Sequence, residues 1–222
     1  MEFKRVTLFT GHYGSGKTNI AVNYALAIKA AGHPVRIADL DIVNPYFRTK
    51  DSADRLAAAG IQLISSEYAN SNVDFPALPG RMYAVTDDTS EYAVLDIGGD
   101  DRGALALGRY APAITAEDNY EMLFVVNCFR PLTQNAADTV EVLREVEAAG
   151  SMKATAIVNN SNLGPHTTPE DVLASVAYAE EISALTGLPV KMTAVREDLT
   201  PALAGKIDNL FPLVLQHKYT WN

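Results

Sequence analysis

Residues Gly11-His12-Tyr13-Gly14-Ser15-Gly16-Lys17-Thr18 constrain this chain more than any other stretch of it. They fill the pattern G-x-x-x-x-G-K-[ST] completely, between an apolar run at 5–10 and an amphipathic segment starting at Lys17. Glycines let a backbone curl until successive N–H groups converge on one point, and a helix beginning there adds its positive end. Such a nest binds phosphate. Lys17 supplies a point charge for β- and γ-phosphates, the Thr18 hydroxyl suits Mg²⁺, and Asn19 continues the binding segment.

The rest of the chain alternates. Short apolar runs at 5–10, 35–40, 61–64, 93–97, 122–126, 154–158 and 190–195 predict strands buried on both faces, because they are continuous rather than alternating. Helices are predicted between them. One carries Ile20, Tyr24, Ala27 and Ala31 on one face and stops at Gly32, with Pro34 just beyond. A second runs over 133–149 with Val140, Leu143 and Val146 inward and Gly150 as its stop. A third opens on Thr168-Pro169-Glu170-Asp171, a capping box with proline at the first helical position, and ends near Gly187. Repeated strand–helix–strand order predicts a mainly parallel sheet between two helical layers, in a single domain over 1–222. Ligands of such sheets bind beyond the carboxyl ends of the strands. The loops at 65–81, 98–103 and 159–169 are therefore the places to look. The apolar stretch at 211–215 contains Pro212 and is expected to dock on the body.

Two further motifs stand at strand ends. Asp39 and Asp41 are two residues apart at the close of a strand, so their carboxylates project to one side and call for a cation. Asp96 closes another strand and is followed by Gly98 and Gly99, which can approach a γ-phosphate closely. Acidic residues exceed basic ones, 27 against 18, for a net charge of −9. That charge repels phosphate backbones and anionic lipid, which argues against nucleic acid and membrane as partners. Cys128 is the single cysteine, so disulfide frameworks and zinc fingers are excluded. The N-terminal apolar run is too short for a signal peptide, and a cytoplasmic protein is expected.

Taken in this order, the three motifs resemble those of SIMIBI-class P-loop ATPases, specifically the MinD/ParA/CobQ/CobB-like nucleotide-binding domains. The resemblance spans about residues 6–203 and implies the α/β/α fold of P-loop nucleoside triphosphate hydrolases. It implies ATP and Mg²⁺ as ligands, with Thr18, Asp39 and Asp96 around the metal and Asp41 positioning the hydrolytic water. It also implies a base-reading role for Asn159 and an adenine-flanking role for Arg196, Glu197 and Asp198. A GTPase of this fold would carry Asn-Lys-x-Asp where this chain has Asn159-Asn160-Ser161-Asn162. One position departs from the family. His12 stands where many relatives carry a lysine that crosses a dimer interface, and Tyr13 where glycine is usual. Either His12, Arg48 or Arg102 does that job or no residue does, so homodimerisation stays open. The expected activity is ATP hydrolysis driving a switch read by a protein client, in metallocofactor enzyme maturation or protein positioning. One alternative is a ligase or kinase of the dethiobiotin-synthetase or cobyrinate-amidase type. There, Arg48, Arg102, Arg130 and the 65–81 loop would hold a small anionic metabolite. The other is a nucleotide-binding module with negligible turnover.

Overall fold

The structure, a computed structural model, describes residues 1–40, 49–65, 84–99 and 107–215. Asp41, Arg48 and Arg102, with most of the loops at 65–81 and 98–103, lie outside the described residues.

The chain opens with β1 (Val6–Thr10), α1 (Lys17–Ala30) and β2 (Val35–Leu40). A 3-10 turn at Thr49–Ser52 leads into α2 (Ala53–Ala58), β3 (Gln62–Ser65), α3 (Ala84–Asp87) and β4 (Tyr92–Ile97). There follow α4 (Ala111–Glu117), β5 (Tyr120–Val126), α5 (Ala136–Gly150) and β6 (Ala156–Asn159). The last elements are α6 (Pro169–Thr186), β7 (Val190–Arg196), α7 (Thr200–Leu203) and β8 (Leu210–Leu213). The strands form one eight-stranded sheet in the order β3-β2-β4-β1-β5-β6-β7-β8, with every described pairing parallel. From β1 the chain crosses first to the β2 side and later to the β5 side. The carboxyl ends around β1 are therefore the switch point where such sheets open a crevice.

Alternating side chains send the strands' apolar residues to two faces. Phe9, Ile37, Leu123 and Val125 pack with Ile20, Tyr24 and Ile28 of α1 and Leu56 of α2. On the other face, Leu8, Leu40, Leu95 and Met122 meet Ile114 of α4, while Phe124 and Ile157 meet Leu143 of α5 and Ile182 of α6. This is the three-layer arrangement expected from the alternation of runs.

Several local expectations shift by a few residues. The buried line of α1 runs through Ile20, Tyr24, Ala25 and Ile28, whereas Ala27 is half-buried and Ala31 is exposed beyond the helix end. The helix expected from residue 133 starts at Ala136, because Asn135 caps it by accepting from the Asp138 amide, and Pro131–Thr133 forms a separate 3-10 turn. The capping box at Thr168 and Asp171 is formed, and Gly187 ends that helix at φ 75°. The stretch at 211–215 does dock on the body, but as the edge strand β8, where Pro212 needs no ladder donor on its open side.

Buried charges at the amino ends of the strands are satisfied internally. Glu121 accepts from Thr7 and from the Tyr24 hydroxyl and pairs with Lys191. Arg5 pairs with Glu117, and Arg36 with Asp88 and Glu91 at 2.6 and 2.8 Å. Burial and the neighbouring Glu121 push the Tyr24 hydroxyl well above its ordinary range. That edge of the sheet is structural. No helix among the described residues is long and apolar enough to cross a membrane.

Candidate functional site

The carboxyl edge is built differently. As the chain leaves β1 it turns at Gly11, whose φ is 138° and where a Cβ would stand 2.4 Å from the Val125 carbonyl of β5. Only glycine fits so close to that neighbour. Gly14 and Gly16 follow at φ 76° and 93°, and the Ser15 amide closes a turn onto the His12 carbonyl at 3.1 Å. The loop then enters α1 with Gly16 as its N-cap, no capping side chain and no acidic residue in the first turn. The helix's leading N–H groups are thus left for an anion. Lys17 is 6% exposed and donates to the carbonyls of Gly11 and His12 at 3.1 and 3.2 Å, which holds its ammonium over the loop. The Ser15 hydroxyl is buried within the same loop without a hydrogen-bond partner among the described residues. Gly99 packs against the outside: a Cβ there would meet the Tyr13 amide at 2.7 Å and the Lys17 Nζ at 2.8 Å.

The carboxylates stand on adjacent strands, Asp96 in register with Phe9 of β1 and Asp39 one strand further out. Asp39 of β2 and Asp96 of β4 are register partners, and both are buried. Register partners on neighbouring strands point to the same face, so the two carboxylates share one side of the sheet. Asp96 accepts a hydrogen bond from the Thr49 hydroxyl at 2.9 Å. Thr49 had no signature in the sequence; its role comes from folding back across 47 residues of chain. Gly98 is buried directly after β4.

A cavity of about 650 Å³ opens along this edge. Tyr13, Gly14, Gly16, Lys17, Thr18 and Asn19 form one end of it, whereas Gly11, His12 and Ser15 are not part of the lining. His12 is half-buried, and its Nδ1 lies 2.9 Å from the Tyr13 carbonyl oxygen. The loop after β6 contributes Asn160, Ser161 and Asn162, and the far end is apolar, with Val172, Ala194, Val195, Leu213 and Leu215. Lys17, Arg130 and Arg196 line the cavity, and among the described residues no aspartate or glutamate does. In a chain of net charge −9 that is a marked local reversal.

The base-side expectations need correction. Asn159 is fully buried, donates to the Ser175 hydroxyl at 2.9 Å and accepts from the Ser161 amide at 3.1 Å, so its carboxamide is spent under α6. The next residue faces the other way, as alternation along a strand end requires. Asn160 lines the cavity and donates to the Ser15 carbonyl at 2.7 Å, tying the β6 loop to the phosphate-type loop. Arg196 lines the cavity. Its guanidinium is held by Asp198, with Nη1 also donating to the Gly164 and Pro165 carbonyls at 3.2 and 3.0 Å. The Arg196 hydrogen bonds hold the Asp198 carboxyl below its usual range, and Asp198 raises Arg196 in turn. Glu197 is exposed and takes no part in the lining.

No protein-family model and no curated protein matches the sequence. Solved structures do match. The cell division protein FtsY of Thermotoga maritima superposes with a TM-score of 0.60 at 18% identity, over 88% of this chain and 62% of that one. The signal recognition particle receptor FtsY of Elizabethkingia anophelis, in complex with GDP, gives 0.57 at 17% identity, over 88% and 58%. The signal recognition particle 54 kDa protein of Aeropyrum pernix, also with GDP, gives 0.54 at 16%, over 86% and 41%. The chain thus spans about three fifths or less of the length of these structures. What likeness at such identity carries is architecture: this chain has the parallel α/β fold of the P-loop nucleoside triphosphate hydrolases.

Proposed function

We propose that the chain is a Mg²⁺-dependent ATP-binding protein and ATP hydrolase that acts as a switch for a protein client. The observation that carries this reading is the cavity: a glycine loop and helix start at one end, three cationic side chains, no described carboxylate, and an apolar far end. That distribution suits a polyanion joined to a flat, weakly polar ring.

The lining also bears on the base. Guanine presents an amino donor that adenine lacks at the same edge, and an ionised carboxylate is an acceptor-only group suited to it. Between the loop and the apolar end the described lining offers carboxamides and a hydroxyl, from Asn160, Asn162 and Ser161. The proteins solved with GDP bind that nucleotide; here a lining without an aspartate or glutamate among the described residues favours adenine.

The residues present suit a magnesium ion. Thr18 lines the cavity, and Asp39 and Asp96 stand on one face of adjacent strands. When bound, Mg²⁺ supplies charge neutralisation at the phosphates. Lys17 and the loop amides stabilise charge that grows on the same oxygens, the main source of rate in such chemistry. Asp41 is assigned to orient the attacking water. Thr49 follows residues 41–48 and is bonded to Asp96, while Gly99 precedes 100–106 and presses on the loop. Loss of a γ-phosphate would be felt at these two contacts, Thr49 on Asp96 and Gly99 on the loop, where a client, or a second copy of the chain, would read it.

Calorimetry with Mg-ATP and Mg-GTP tests the reading, together with phosphate release by the parent and by Asp41→Ala. ATP is expected to bind at least about tenfold tighter, the loss of two well-made polar contacts for GTP. Asp41→Ala is expected to bind ATP normally and to release phosphate on the order of a hundredfold more slowly. Tighter binding of GTP overturns the base assignment, and parent-like turnover in the variant overturns the role of Asp41.

A further inference from the structure

Arg130 reaches the phosphate-type loop from β5's side of the sheet, and nothing in the three motifs accounts for it. It lies in Asn127-Cys128-Phe129-Arg130-Pro131, the segment leaving β5. Asn127 is fully buried and organises the turn. Its Oδ1 accepts from the Phe129 amide at 3.0 Å, and its carbonyl accepts from the Arg130 amide at 3.2 Å and the Thr133 hydroxyl at 2.8 Å. The same turn is tied to the β6 side of the cavity, since the Cys128 amide donates to the Ser161 hydroxyl at 3.1 Å. Pro131 restricts the residue before it to extended backbone, and Arg130 sits at φ −105°, ψ 139°. The backbone that presents this arginine is therefore set before any ligand arrives.

The side chain is only partly used. Nε donates to the Gly14 carbonyl at 2.8 Å, in the middle of the glycine loop. The two terminal nitrogens make no hydrogen bond or ion pair with any described residue. The contrast with Arg196 is direct, because that guanidinium is already neutralised by Asp198. A brace for the loop needs one donor. Arg130 offers a planar cation with further donors, half-buried in a cavity without described carboxylates. Such a group is matched by the oxygens of a phosphate, which accept paired N–H donors.

We infer that Arg130 is a phosphate-binding residue supplied within the same chain, anchored through Nε to Gly14 and contributing its terminal nitrogens to a nucleoside polyphosphate. This rests on the nucleotide reading above and adds a charge that the motifs do not contain. It also places a second cation in the cavity that Lys17 lines, supplied by the same chain.

Three variants separate a phosphate contact from a brace. Arg130→Gln keeps an N–H donor at the ε position and deletes the charge; Arg130→Ala deletes both; Arg130→Lys keeps the charge without the fork. Affinities for Mg-ATP and Mg-ADP are read by calorimetry on the full chain, with thermal melting as the folding control. Gln and Ala variants are expected to bind both nucleotides about ten- to a hundredfold more weakly than the parent, with Lys in between. Melting temperatures are expected to stay within about 2 °C of the parent, as for other surface changes. Parent-like affinity in Arg130→Gln, with a loss confined to Arg130→Ala, makes the residue a brace and overturns the inference. Parent-like affinity in both variants overturns it as well. If the unaltered chain binds neither nucleotide, the nucleotide reading itself fails, and that result is visible before any variant is made.

Discussion

Lys17→Ala is expected to weaken Mg-ATP binding by at least about a hundredfold, the loss of two charge-assisted hydrogen bonds to phosphate. The lysine is not a mobile surface cation. It is 6% exposed, and its ammonium is already drawn over the loop by the carbonyls of Gly11 and His12. Little side-chain entropy is left to lose when phosphate arrives, so most of its electrostatic gain appears as affinity. Alanine removes the charge and leaves the helix start and the loop amides in place. Calorimetry at matched ionic strength reads the loss, and an unchanged far-ultraviolet spectrum shows that the fold is retained. Binding within threefold of the parent would remove Lys17 from the site.

Gly11→Ala is expected to cost stability rather than chemistry alone. A Cβ at this position would lie 2.4 Å from the Val125 carbonyl oxygen, and the backbone sits at φ 138°, where side chains are strained. Neither β1 nor β5 can move aside cheaply, since they are paired over five register positions from Val6 to Thr10. Strained backbone contributes about 1–3 kcal/mol and overpacking another 1–3. For a chain of this length the melting temperature should fall by roughly 4 to 24 °C. Nucleotide affinity should fall with it, because the loop's starting point is displaced. A melting temperature within 2 °C of the parent would mean that the close approach of β1's exit to β5 is not real.

Much of this architecture can be read along the chain because its signals are local. The Thr168–Asp171 capping box, the left-handed glycines at 32 and 187 and the continuous strand runs each depend on neighbours in sequence. The same holds for the glycine loop. Pro212 marked the stretch at 211–215 as one that docks on the body, but not as a strand, which the edge of a sheet tolerates despite the missing N–H. Asn159 and Asn160 differ by one residue, and that single step decides which carboxamide is buried and which lines the cavity. Thr49 on Asp96 and Arg130 on Gly14 join segments 47 and 116 residues apart. No pattern of composition or spacing announces such pairs, because the sheet order alone brings their loops together.

The most direct measurement is amide hydrogen exchange of the full chain, with and without saturating Mg-ATP. If main-chain N–H groups at the start of α1 hold the phosphates, exchange over residues 14–18 should slow by an order of magnitude or more, in line with ligand-linked stabilisation. Unchanged exchange over those residues, while ATP binds or fails to bind elsewhere, would contradict the account at its root.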